Sequence, residues 1–142
     1  AVFVFKRARV IGVYRDFRIL NTYKSTVKNL QEGSSITIFP ESREKYNLFL
    51  NEFQKNFVDV CRVYQKSTKK SLTFTPMYIA PRIKTVIFGK PTVFNSENDY
   101  NEEKERIIKY LKDEITLLAK SLPVHTVLPY DNIPRKYHKK SK

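Results

Sequence analysis

Short apolar runs alternate with longer segments of helical periodicity along this chain. The run Val10–Tyr14 predicts a strand, and Asn21 or Thr22 then caps a predicted helix that Gly33 ends. Ser35–Phe39 is a second apolar run and predicts a second strand. A strand, a helix and a strand at this spacing indicate a βαβ unit with a parallel pair of strands.

A long helix is predicted next, with Ser42 as its capping residue. Cys61 lies on its apolar face and is interpreted as a small core residue; it is the only cysteine, so no intrachain disulfide can form. Spacings of three and four residues define that face, which is typical of a helix packed on a sheet. Its members are Tyr46, Phe49, Leu50, Phe53, Phe57, Val60, Cys61 and Tyr64.

The second half of the chain predicts further strands and a closing helix. Leu72–Ala80 and Thr85–Phe88 are predicted strands, and Thr92–Phe94 is a candidate short edge strand. Asp99 begins a predicted amphipathic helix, which Pro123 ends because proline cannot continue it. Together with the first half, these elements predict an α/β fold with a mixed, partly parallel sheet flanked by helices.

The order of these elements also sets the expected domain limits. One domain is predicted over residues 1–122, followed by a basic, proline-containing tail over residues 123–142. Because the chain opens inside the apolar run Ala1–Phe5, we expect this domain to be truncated at its N-terminus. No apolar run approaches the roughly 20 residues that a membrane-spanning helix needs.

The charge balance narrows the classes of partner. The chain has 142 residues and a formal net charge of +13, which favours nucleic acid, anionic lipid headgroups or phosphorylated small molecules. No aromatic RNA-binding strand, zinc-ligand spacing or helix-turn-helix pattern is present, so nucleic acid is the less favoured partner. We expect no metal site.

Candidate chemistry lies where the predicted strands end. Glu41 and Arg43 follow the second strand at the start of a predicted helix, and Arg15 follows the first strand. Parallel strands would bring all three side chains to the same edge of the sheet, where an arginine can hold a phosphate through two hydrogen bonds. A capping carboxylate and a surface arginine would give the same pattern, so both interpretations stay open.

Four blocks of the sequence resemble the glycerophospholipid acyltransferases, the lysophosphatidic acid acyltransferase-like family. Within them Phe39, Pro40, Pro76, Gly89 and Pro91 are the motif residues. Ser42 stands where the family has glycine, and Arg43 stands near the family's Thr-Arg pair. The blocks follow the family's order over about residues 10–94 and comprise Val10–Arg15, Leu30–Glu41, Phe74–Ile79 and Val86–Pro91.

The resemblance implies a reaction and a substrate site. A fatty acyl group would move from an acyl-CoA or acyl-carrier-protein thioester to the hydroxyl of a glycerol phosphate or lysophospholipid, with no bound cofactor. Arg7 is an alternative to Arg15 for the arginine of the first of these blocks. The residues that would hold the acceptor's phosphate are Arg15, Glu41, Ser42 and Arg43.

The family's catalytic base is a histidine with an aspartate five positions later. Neither His125 nor His138 has that aspartate, so the pair is expected upstream of Ala1 and this fragment is expected to be inactive alone. The resemblance and the charge together imply a cytoplasmic protein at the inner face of an anionic membrane. A non-catalytic lipid- or phosphate-binding homologue is the alternative, and a basic nucleic-acid-binding module is the less favoured one.

Overall fold

The protein is described by a computed structural model over residues 10–13, 16–42, 50–125 and 127. In these ranges the helices are α1 (Ile19–Gln31), α2 (Val60–Thr68) and α3 (Tyr100–Ser121). Short 3₁₀ segments cover Lys55–Asp59 and Pro81–Ile83. The strands are β1 (Thr73–Phe74), β2 (Met77–Ala80), β3 (Thr85–Phe88) and β4 (Thr92–Val93).

Helix α1 confirms the first predicted helix, although it begins a few residues earlier. The Asp16 carboxylate accepts a hydrogen bond from the Arg18 N–H at 2.9 Å just before the helix. At its other end Gly33 has a φ of +83°, and the N–H of Ser34 reaches back to the Asn29 carbonyl at 3.0 Å. This is a Schellman ending, and it explains the glycine because other residues adopt positive φ at a cost.

The predicted parallel βαβ unit is wrong for the part of the chain that the structure describes. Residues 10–13 and 34–40 form no strand, and both sheets are antiparallel pairs, β1 with β4 and β2 with β3. Burial explains the failure, because a strand of a covered sheet buries at least one face. Val13 is instead 75% exposed, and the consecutive Ile38 and Phe39 are both exposed.

The predicted long helix after Ser42 is wrong over residues 50–54, while its C-terminal part is confirmed by the 3₁₀ segment and α2. The Ser42 N–H donates to the Glu52 carbonyl at 2.7 Å, and the Gln54 N–H donates to the Pro40 carbonyl at 2.8 Å. This antiparallel pairing, centred on a bridge between Glu41 and Phe53, takes backbone groups that a helix would use. Helical structure therefore begins only with the 3₁₀ segment and α2, while residues 43–49 lie outside the described ranges.

Proline divides the predicted strand Leu72–Ala80 into β1 and β2. Pro76 has no N–H for a ladder, but its carbonyl accepts the Gly89 N–H at 2.9 Å. Strand β2 then pairs with β3 in an antiparallel hairpin. The bounds of β3 are those of the predicted strand Thr85–Phe88. The predicted edge strand is also confirmed as β4, over Thr92–Val93.

Helix α3 supplies the centre of the main core. The Asp99 side chain accepts the N–H groups of Asn101 and Glu102, as predicted for its N-terminus. Cys61 lies in the same core and is 2% exposed, which confirms its predicted place; burial raises the pKa of its thiol to about 12. The buried members of this core are Phe53, Val58, Cys61, Phe94, Ile107, Ile108 and Leu111.

Candidate functional site

An apolar groove of about 610 Å³ runs between the segment 34–41 and the strands β1 and β2. Its base reaches the core through side chains such as Phe53, Leu111 and Ile115. This volume lies within the roughly 300–1,000 Å³ of pockets that take small organic ligands. We call it the apolar groove below.

Three of the sequence blocks that carry the family resemblance contribute residues to this one groove. Ile36–Glu41 comes from one block and Phe74–Ile79 from another, and Phe88 of the last block lines it as well. The irregular backbone at 34–40 is therefore part of a cavity wall, although no strand forms there. This placement of separate blocks around one cavity is the main structural observation about the site.

The other motif residues shape the frame of the groove. Phe39 and Pro40 lie in its wall, and Pro76 is fully buried beside it. Gly89 is required by close packing, because a Cβ at this position would stand 2.7 Å from Cγ of Glu114. Pro91 is exposed and does not line the groove.

Glu41 lines the groove and forms a bridge with Phe53. Its carboxylate accepts the N–H of Asn51 at 3.0 Å, which ties together the two ends of the segment 42–50. The next residue, Ser42, has a buried hydroxyl, and no described residue forms a hydrogen bond with that oxygen. Glu41 thus links residues 41 and 51, which lie on either side of the segment 43–49 outside the described ranges.

Two of the predicted phosphate-binding residues cannot be located by this structure. Arg15 and Arg43 lie outside the described residues, as does the alternative Arg7. Of the predicted set, Glu41 lines the groove, and Ser42 follows it in the chain without lining the groove. The convergence of the arginines on the same place stays a prediction.

A tyrosine–histidine pair that the sequence did not indicate adjoins the groove. The Tyr78 hydroxyl lies 2.8 Å from Nε2 of His125, and Nδ1 of His125 lies 2.8 Å from the Pro123 carbonyl. Since a carbonyl only accepts, a neutral His125 carries its proton on Nδ1 and accepts the Tyr78 hydroxyl at Nε2. Burial, and then the charge of Glu41, raises the pKa of Tyr78.

This pair attaches the beginning of the predicted tail to the domain. His125 is 4% exposed and Val127 is 8% exposed, and Val127 lines the groove. Tyr78 belongs to one of the resemblance blocks, but nothing in the spacing of the sequence linked it to a histidine 47 residues later. The rest of residues 128–142, including His138, lies outside the described ranges.

No cluster of three or more His, Cys, Asp or Glu side chains in the described ranges is suited to holding a metal ion. Among the helices described, none has the length and apolar character needed to cross a membrane. The predicted mixture of helices and strands is confirmed, but the described residues form two antiparallel strand pairs rather than one partly parallel sheet.

Comparison with known proteins finds no match of this chain to a protein-family model, to a curated protein or to a solved structure.

Proposed function

We propose that this chain is the substrate-binding part of an acyltransferase-like domain that acts on glycerophospholipid precursors. The observation that carries the proposal is the apolar groove, in which Ile36–Glu41 and Phe74–Ile79 line one cavity. A fatty acyl chain would lie in this cavity, and the polar part of the substrate would lie toward Glu41. The family resemblance of these same segments supplies the reaction class.

The groove suits a long apolar ligand because its walls are mainly hydrocarbon. Ile38, Phe74 and Leu111 represent its three sides, which come from the segment 34–41, from β1 and from α3. Removing an acyl chain from water stabilises binding by about 0.8 kcal/mol per buried methylene. A cavity with one polar end also fixes the direction in which a lipid enters.

The polar end of the groove matches an acceptor with hydroxyl and phosphate groups. The Glu41 carboxylate, which lines the groove, can accept a hydrogen bond from a glycerol hydroxyl. Arg15 and Arg43 would bind the phosphate if they approach this end, as the resemblance implies. The acyl donor would be an acyl-CoA or acyl-carrier-protein thioester, and the protein would work at the inner face of an anionic membrane.

A charged side chain placed in the groove tests the binding part of the proposal. We expect Ile38→Asp to weaken binding of a fluorescent fatty acyl probe at least about tenfold, because a carboxylate would have to meet the acyl chain without water. The matched control is Leu117→Asp, since Leu117 is 61% exposed on α3 and does not line the groove. Displacement of the probe by a lysophosphatidate is expected in wild type, and equal probe affinity in both variants would contradict the proposal.

Product formation separates an acyltransferase from a lipid-binding homologue with the same groove. The described histidine, His125, is hydrogen-bonded to Tyr78, and the resemblance assigns the base for acyl transfer to a histidine–aspartate pair outside the described residues. We therefore expect transfer from an acyl-CoA to a lysophosphatidate when the family's histidine and aspartate are supplied upstream, and loss of transfer in Ile38→Asp. Lysophosphatidate binding without any transfer would favour the non-catalytic homologue instead.

A further inference from the structure

The β2–β3 hairpin has an outer face made of apolar side chains. Ile79 pairs directly with Val86 across the hairpin, and Met77 pairs with Phe88. Because side chains alternate along a strand, these four share one side, while Tyr78 and Ala80 point toward α3. Phe88 is 65% exposed and Val86 is 52% exposed, so the β3 part of this side is exposed, while Met77 and Ile79 of β2 line the groove.

Basic side chains border this outer face. Arg82 and Lys84 lie in the connection between the two strands, and Lys90 follows β3. No ion pair among the described residues involves any of the three. The stretch from Val60 to Ser96 contains seven Lys or Arg residues and no Asp or Glu, and the acidic side chain next to the hairpin comes from α3, where the Glu114 carboxylate accepts the Lys90 N–H at 3.3 Å.

We propose that the outer face of the β2–β3 hairpin docks on the surface of an anionic lipid bilayer. Apolar side chains would enter the boundary between headgroups and acyl chains, while the bordering cations would bind the headgroups. This combination of an apolar face and flanking cations is the chemistry of peripheral membrane attachment. A protein partner would need a matching acidic and apolar surface, whereas a bilayer offers both over any area.

The position of the hairpin would also connect the bilayer with the apolar groove. Ile79 and Phe88 belong to the outer face and line the groove as well, and Pro81 lines the groove at the end of β2. A lipid chain could therefore pass from the bilayer into the groove without crossing water. Docking itself requires no acyl transfer, and it would stand if the proposed reaction were wrong.

Co-sedimentation of the whole chain with vesicles tests the docking. Wild type is expected to bind vesicles of phosphatidylcholine with phosphatidylserine, and to bind pure phosphatidylcholine far more weakly. Each cation near an anionic surface raises the vesicle partition coefficient about fivefold. The double variant Arg82→Glu with Lys84→Glu should therefore lower the partition coefficient roughly 30-fold or more. Val86→Asp, which leaves the groove lining unchanged, should lose roughly tenfold.

Matched controls separate a docking surface from the effect of net charge. Lys24→Glu with Lys120→Glu makes the same change of charge at two other exposed positions, and Leu117→Asp matches Val86→Asp. Both controls should keep most of the vesicle binding, and all variants should bind the soluble acyl probe as wild type does. Equal losses in variants and controls, or binding to RNA without binding to vesicles, would overturn the docking proposal while leaving the groove intact.

Discussion

Glu103→Gln is expected to lower the free energy of unfolding by about 3 kcal/mol at pH 7. Glu103 is 1% exposed and accepts hydrogen bonds from Arg106, from the Asn95 N–H and from the Asn98 amide. The Arg106 guanidinium, with help from Asn95 and against the effect of burial, lowers the pKa of Glu103 from its usual 4.5 to about 2. A pKa that is lower in the folded state by this amount contributes about 3 kcal/mol to the free energy of unfolding at neutral pH.

The same carboxylate predicts how stability changes with pH. Because the pKa of Glu103 is lower in the folded state, its contribution is fully present above about pH 4.5 and is lost as the pH falls toward 2. Glutamine resembles the protonated acid in being neutral. The difference in stability between wild type and Glu103→Gln should therefore be largest at neutral pH and should nearly vanish at pH 2.

Urea unfolding followed at several pH values provides the measurement for Glu103. Glu97→Gln is the matched control, since Glu97 is exposed in the turn before α3 and its side chain makes no described ion pair. It should change stability by less than about 0.5 kcal/mol at each pH. A difference for Glu103→Gln that stays constant from pH 7 to pH 2 would show that the ionised carboxylate is not what stabilises this turn.

Ile107→Ala is expected to lower the free energy of unfolding by about 3 kcal/mol, within the usual 2–5 kcal/mol for such changes. Ile107 is fully buried on α3, between Val58 and Cys61 of the α2 side and Phe94 after β4. Truncation removes buried hydrocarbon and leaves a cavity that these neighbours can fill only in part. No polar interaction is altered, so the loss should not depend on pH.

Leu117→Ala is the control for this change on the same helix. Leu117 is 61% exposed, so its truncation should cost less than about 0.5 kcal/mol. Chemical denaturation of both variants at one pH makes the comparison. Equal losses in the two variants would mean that the side of α3 that carries Ile107 is not the one packed in the core.

Local signals in the sequence were sufficient for several elements. Gly33 marked the end of α1 because positive φ is easiest for glycine, and Asp99 marked the start of α3 because its side chain can cap free N–H groups. Thr85–Phe88 was recognised as a strand from its β-branched and aromatic content. Each of these signals depends on neighbouring residues, which the sequence shows directly.

Elements that depend on distant contacts were not predictable in the same way. The apolar run Ser35–Phe39 has the composition of a strand, yet its residues line a groove because the backbone next to it pairs with Glu52–Gln54. The spacing around Ser42 suggested a helix, but that pairing keeps residues 50–54 non-helical. At the candidate site, Glu41 was predicted as a site residue from its motif. The pairing of Tyr78 with His125 depends on a contact that no local pattern encodes.

The central claim is that an acyl chain lies in the groove between the segment 34–41 and the strands β1 and β2. Photolabelling with a lysophosphatidate that carries a diazirine in its acyl chain, followed by peptide mass spectrometry, tests it most directly. We predict labels on residues 36–41 and 72–79, and their loss when unlabelled lysophosphatidate competes. Labels that avoid both segments, or that are insensitive to competition, would contradict the account.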